Sequence, residues 1–237
     1  MPAQDALTEE ELEALLKAVK TRGPCGKRNL ALLTLFADAG LRLGEALALQ
    51  TTDLIREGSR VVTHVRVLGK GHKPALVPVT ARAAARLDAW LAARAKLGLA
   101  NGPLFCTISR GRRRGLGGEA TLTPGRPLSG RYVRQMVARM ARRAGIARRV
   151  TPHTLRHTFA THLLRKTGNL ELVRKALRHA RITTTAQIYS HLADRDVEEA
   201  VRGLRGLSEP HAIAQAVLEA LPEKVRKALQ SLLRSGG

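Results

Sequence analysis

Apolar residues in this chain recur at two different periods, and the change-over between them confines the fold more than any other feature. Leu12, Leu15, Leu16 and Val19 stand at i, i+3, i+4 and i+7, the stripe of an amphipathic helix. Thr8 and Glu11 frame its start as a capping box, and Gly23-Pro24 breaks it. A second helix is predicted from about Lys27 to Ala39, ended by Gly40, and a short third over roughly Gly44 to Leu49. The period then shifts. Val61, Val62, Val65 and Val67, followed by Leu76, Val77 and Val79, form β-branched-rich runs around Gly69-Lys70-Gly71. They read as a hairpin, with a third strand near Asp53–Arg56.

From Thr80 to Leu99 the helical period returns. Residues 101–128, rich in Gly, Pro and Thr, read as a loop. Ser129 to Ala144 is helical, with Val133, Met136, Val137, Met140 and Ala144 on one face and Arg131, Arg134, Arg139 and Arg142 on the other. Thr151-Pro152 supplies a capping hydroxyl and a first-turn proline for the next helix. Shorter helices follow over about Leu170–Leu177, Thr184–His191 and Asp194–Leu204, then two amphipathic pieces within 211–234. No internal repeat is present. The fold class is therefore mainly α with a small antiparallel β-sheet (α+β).

The 237 residues suit one domain with an appendage. The longest apolar stretch, Leu30 to Leu41, is interrupted by Asp38 and is too short to span a bilayer. Asp5 and Glu9–Glu11 give the N-terminus the wrong charge for a secretory or mitochondrial signal, so the expectation is a cytoplasmic protein without a membrane partner. Cys25 and Cys106 have no paired spacing; they suit neither a zinc cluster nor a disulfide scaffold.

Charge points to a partner. Lys plus Arg number 41 against 19 acids, a formal net charge of +22, and 31 of those cations are Arg. A GC-rich genome would raise Arg equally well, but the excess itself implies a polyanion, most simply nucleic acid. Residues 101–160 hold 13 Arg, no Lys and one acid, and include Arg112-Arg113-Arg114. With aromatics at only 3%, a stacking platform for single strands is disfavoured and duplex backbone binding favoured.

Four segments carry polar residues at fixed spacing: Gly40-Leu-Arg42-Leu-Gly-Glu45; Gly69-Lys70-Gly-His72-Lys73; Thr151-Pro-His153-Thr-Leu-Arg156-His157; and Leu177-Arg178-His179 with Tyr189-Ser-His191 ten residues on. Singly each is weak. A hairpin Lys is usually solvated, Glu45 can simply pair with Arg42, and His157 and His162 read as packed histidines. His153 and His157 are four apart but have no further ligands for zinc.

Taken together, the segments resemble the tyrosine recombinase (phage integrase) family with an Xer-like catalytic domain, over about residues 8–205. The resemblance implies the tyrosine recombinase catalytic-domain fold and cleavage and rejoining of DNA through a 3′-phosphotyrosine. It makes Tyr189 the nucleophile and assigns Arg42 and Arg156 to the non-bridging oxygens of the scissile phosphate. Lys70 would protonate the leaving 5′ oxygen, while His153 and His179 would bond the phosphate and assist proton transfer. Glu45 would stand behind Arg42, and His157 would buttress the site. Arg112, Arg113, Arg114, Arg131, Arg134 and Arg178 are the candidate DNA contacts, and Tyr132 is structural or a DNA contact.

The chemistry is coherent in its own right. A phosphodiester is anionic, so a catalyst must neutralise growing negative charge, and two guanidiniums do so with directed donors. The chain offers no carboxylate cluster for Mg²⁺ and no nucleotide-type Gly-rich loop, so no metal, cofactor or ATP is expected. The expected partners are double-stranded DNA, further copies of the chain in a synaptic tetramer acting through a Holliday junction, and an accessory DNA-binding protein. A type IB-like topoisomerase and a catalytically silent architectural relative are the competing readings.

Two departures from the family pattern stand out. Arg178 occupies a position usually held by Gly, which suits a helix end in a left-handed turn; Arg178 either shifts His179 or adds a phosphate contact. Only about seven residues precede Thr8, so no N-terminal core-binding domain is expected, as in the similarly short fimbrial inversion recombinases; a piece of a longer chain would look the same. Residues 1–207 form the expected catalytic domain. Residues 208–237 form a helical tail that either packs on its own domain or is exchanged between subunits.

Overall fold

The computed structural model describes residues 6–58, 61–69, 74–108, 111–115, 118–122 and 124–178, with 111–115 and 118–122 described as backbone. The helices expected beyond residue 180 and the tail at 208–237 lie outside the described residues.

The chain opens with helix α1 (Glu9–Lys17), whose predicted capping box is formed. Thr8 Oγ1 accepts from the Glu11 amide at 3.2 Å, and the Glu11 carboxylate accepts from the Thr8 amide at 2.9 Å. Helix α2 (Pro24–Ala39) begins three residues before the expected Lys27. Gly23-Pro24 does separate the two helices, but Pro24 also opens the second, because its fixed φ suits a first helical position whose N–H needs no partner. Residues 31–37 of α2 are all buried, so this helix is the central post of the core rather than a surface amphipath. It packs on both α4 (Ala81–Ala95) and α6 (Pro152–Thr167). Burying a side chain such as Phe36 completely stabilises the fold by about 1.5–3 kcal/mol.

After the short α3 (Leu43–Ala48) come β1 (Leu54–Glu57), β2 (Val61–Leu68) and β3 (Pro74–Pro78), an antiparallel sheet in that order. The hairpin and third strand stand where the β-branched runs placed them. In β2 the buried positions are Val62, Val65 and Val67, an uneven spacing for a strand. The register explains it: Ile55 pairs His64 and Arg56 pairs Val62, so Thr63 is an extra residue in a bulge that resets the face.

The segment 101–128, expected as loop, contains a second hairpin of β4 (Gly111–Gly115) and β5 (Gly118–Leu122). Its strands lack apolar alternation and are flanked by glycine, so their pairing leaves no trace in the hydrophobic pattern.

Helix α5 (Gly130–Arg143) keeps the predicted division of faces: Val133, Met136, Val137 and Met140 are buried, and Arg131, Arg134, Arg139 and Arg142 are exposed. Tyr132 is held by Arg28, a residue only 3% exposed. Arg28 Nη2 donates to the Tyr132 hydroxyl at 2.5 Å and Nη1 donates to the Cys106 carbonyl at 2.8 Å, with the Arg28 guanidinium 5.1 Å from the Tyr132 ring centre. Tyr132 is thus structural, tying α5 to α2. Helix α7 (Leu170–Leu177) completes the described chain. No helix among the described residues is long and apolar enough to cross a membrane.

Candidate active site

Four helix ends build the site. Helix α2 finishes at Gly40, which adopts φ +56 and turns the chain back toward α3. Arg42 then caps α3 in extended backbone, and the first turn of α3 supplies Glu45. The Glu45 carboxylate accepts from the Arg42 amide at 2.7 Å and from Arg42 Nη1 at 2.8 Å. The backbone bond is ordinary helix capping, and the same carboxylate uses its second oxygen to hold the Arg42 guanidinium.

Helix α6 brings the second arginine. Thr151 caps it, accepting from the Thr154 amide at 3.2 Å, and Pro152 occupies the first turn. One turn on, Arg156 points into the interior with its side chain 7% exposed. Arg156 Nη1 donates to the Gly40 carbonyl, and Nη2 donates to the Leu177 carbonyl at 2.5 Å. Both carbonyls sit at the C-terminal ends of helices, where unpaired acceptors and the negative end of the dipole favour a cation. Nη1 also lies 4.0 Å from Glu45 Oε2.

Arg178 closes the ring. It caps α7 in the left-handed conformation, φ +57, as expected for that position. Its Nη2 donates to Glu45 Oε2 at 2.7 Å and its Nη1 to the Ala176 carbonyl at 2.9 Å. Three guanidiniums from α3, α6 and α7 therefore face one carboxylate. Burial raises the Glu45 pKa. The Arg42 amide, the charge on Arg178 and the bonds from both arginines outweigh that effect, so the carboxyl titrates below its ordinary value.

In front of this cluster lies a cavity of about 460 Å³ lined by Leu41, Arg42, Leu43, Arg134, Arg149, Thr151, Pro152, His153 and Arg156. Four arginines and the N-terminal turn of α6 face one small space, which suits an oxyanion with several acceptor oxygens. A larger hollow of about 940 Å³ mixes Glu9, Glu10 and Asp38 with Arg82, Arg165 and Lys166, and contains none of the candidate site residues. It lacks the single sign of charge that an anionic substrate needs.

The structure thus brings together Arg42, Glu45, His153, Arg156 and Arg178. His153 is exposed on the cavity wall, and His157 lies half-buried one turn further along α6. Arg134 of α5 reaches the cavity; Arg131 is exposed on the same helix but does not line it. Arg112, Arg113 and Arg114 all fall on β4. Lys70, His179 and Tyr189 lie outside the described residues; Lys70 falls between the end of β2 and the start of β3. Arg149 is the wall residue that the sequence reading missed. Nothing local separates it from Arg148, yet Arg148 turns away to the Glu11 carboxylate and the Ala6 carbonyl. Among the described residues no group of three or more His, Cys, Asp or Glu could hold a metal.

A family model described as the phage integrase family matches residues 5–196. Tyrosine recombinase XerC of Xylella fastidiosa (strain M23) is 40% identical over 177 residues, 73% of this chain and 52% of that protein. Tyrosine recombinase XerD of Halalkalibacterium halodurans is 36% identical over 188 residues, 79% of this chain and 57% of that protein. Among solved structures, XerH recombinase in a post-cleavage complex with a palindromic difH substrate matches with a TM-score of 0.66 at 30% identity, covering 83% of this chain and 52% of that one. XerA recombinase matches with a TM-score of 0.66 at 27% identity, covering 86% of this chain and 66% of that one. The chain spans about half the length of the curated relatives it matches.

Proposed function

Because this chain belongs to the phage integrase family, we propose that it is a site-specific recombinase that cleaves and rejoins duplex DNA through a covalent tyrosine link. The observation that carries the reading is the cavity where Arg42 and Arg156, from different helices, meet at the N-terminal turn of α6.

In this reading the scissile phosphate occupies that cavity. Arg42 and Arg156 donate to its non-bridging oxygens, and His153 adds a third donor. The phenolic oxygen of Tyr189 attacks phosphorus and passes its proton to His179. The bond from phosphorus to the 5′ oxygen breaks, and Lys70 delivers a proton to that leaving oxygen. The product is a 3′-phosphotyrosine and a free 5′ hydroxyl. The phosphodiester is exchanged for another phosphodiester, so rejoining needs no ATP. His179 assists the proton transfers, and His157 packs behind the site. The growing charge is met by fixed cations rather than by reorganised water, which is where such sites gain most of their rate.

Arg112, Arg113, Arg114, Arg131 and Arg134 are proposed to contact the duplex backbone, with residues 1–207 as the catalytic domain and 208–237 as a tail that couples copies in a tetramer. The reaction takes place in the cytoplasm, with an accessory DNA-binding protein strengthening the grip.

The test is a covalent trap. The protein and its Tyr189→Phe variant are incubated with genomic DNA in EDTA, denatured, and the DNA that stays attached is sequenced. Attachment by the unmodified protein alone, clustered at a site, supports the reading. Attachment by neither, with salt-sensitive duplex binding intact, refutes it in favour of a silent DNA-binding relative.

A further inference from the structure

We propose that Arg178 is a positioning residue for the proposed phosphate site: it grips the Glu45 carboxylate from the far side and thereby keeps Arg42 aimed into the cavity. This rests on the reading of that cavity as a phosphate site.

Arg178 is the one non-glycine residue with positive φ among the described residues. A left-handed Arg costs about 1 kcal/mol that glycine would not incur. Its side chain is also only 14% exposed, with Nε left without a hydrogen-bond partner. Two unfavourable features at one residue require a contact that offsets them, and the Glu45 bond at 2.7 Å is that contact.

The geometry shows what the contact accomplishes. Glu45 Oε2 is held by the Arg42 amide and Arg178 Nη2, which leaves Oε1 directed at Arg42 Nη1. Without Arg178, the nearest further cation to Oε2 is Arg156 Nη1 at 4.0 Å. The carboxylate can then turn toward Arg156, releasing Arg42 Nη1. An uncompensated Glu45 would also subtract from the positive potential of the cavity, whereas Arg178 cancels it from behind. Among the described residues, the charged groups facing Glu45 are Arg42 at the start of its own helix, Arg156 from α6 and Arg178 from α7.

The experiment compares the unmodified chain with Arg178→Gly, which suits the left-handed backbone, and Arg178→Lys, which keeps the charge but loses the fork. Three readouts are taken. They are NMR titration of the Glu45 carboxyl, inorganic phosphate binding followed at the Arg42 guanidinium, and the rate of covalent attachment at saturating duplex beside duplex affinity. In Arg178→Gly the Glu45 pKa rises and phosphate affinity at Arg42 falls. The attachment rate falls about 10- to 100-fold, as expected for a misaligned catalytic group, with duplex affinity unchanged. Arg178→Lys recovers part of the pKa and less of the rate. Unchanged phosphate binding in Arg178→Gly overturns the proposal. So does a duplex-binding salt slope that falls by about one charge equivalent, because Arg178 would then be a direct DNA contact. If the unmodified chain attaches no DNA but Arg178→Gly still loses phosphate at Arg42, the recombinase reading fails and the positioning role stands.

Discussion

Gly40→Ala probes how tightly the candidate site is coupled to the core. Gly40 sits at φ +56, where an alanine costs about 1–2 kcal/mol. A Cβ there would also press into the Phe159 ring, overlapping Cδ1 and standing 2.8 Å from Cε1, with Leu177 Cδ2 at 3.3 Å. Overpacking of that kind costs about 1–3 kcal/mol, so the substitution should destabilise the fold by about 2–5 kcal/mol in total. Phe159 is half-buried and on α6, so the two contributions can be separated with a second substitution. In a double-mutant cycle with Phe159→Ala, the steric part vanishes and the backbone part remains, giving a coupling of about 1–3 kcal/mol. Urea denaturation of the four proteins, followed by circular dichroism, measures both numbers. Because the Gly40 carbonyl accepts from Arg156 Nη1, Gly40→Ala should also slow covalent attachment to DNA. A coupling below about 0.5 kcal/mol would show that α6 does not pack on Gly40 as described, and the link from core to site would fail with it.

Two further substitutions test the buried charges. Glu45→Gln removes the carboxylate that Arg178, 14% exposed, bonds at 2.7 Å, while Arg42 at 42% remains partly solvated and adds little. The expected loss is about 2–4 kcal/mol near pH 7. The folded pKa of Glu45 is depressed, so its stabilisation is present above the ordinary value of 4.5 and is lost as pH falls through the folded value. The gap between the unmodified protein and Glu45→Gln should therefore close in acid; a gap that is constant from pH 7 to pH 3 refutes the ion-pair account. Tyr132→Phe removes a hydroxyl that accepts from buried Arg28 at 2.5 Å, and should cost about 1–2 kcal/mol in a denaturant melt. Its duplex affinity and salt slope should not move; a reduced slope would make Tyr132 a DNA contact after all.

What could be read from the sequence is what local bonding decides. Thr8, Ser129 and Thr151 cap helices through bonds to residues three positions away, so each start is visible in a four-residue window. The left-handed turn after Leu177 was legible only through the family resemblance, which usually has glycine where this chain has Arg178. The direction of that arginine was not, because Glu45 lies 133 residues away in the chain. Arg42 and Arg156 could be named from their motifs, yet the chain gives no hint that the Gly40 and Leu177 carbonyls hold Arg156. The β4–β5 hairpin escaped for the opposite reason: its order comes from backbone pairing between Gly111–Gly115 and Gly118–Leu122, which needs no buried face.

These long-range bonds explain why the chemistry-bearing residues cluster at helix ends. A helix end exposes unpaired backbone groups of one sign. The C-terminal ends of α2 and α7 present carbonyls, and Arg156 satisfies one from each. The N-terminal end of α6 turns the positive end of its dipole toward the cavity, where an anion is favoured. One guanidinium therefore joins three helices, with its charge set between the groups that attract it and the space where an anion would sit. An Arg156→Lys substitution keeps the charge but cannot bridge two carbonyls with a planar fork, so the geometry of this group, rather than its charge alone, determines the site.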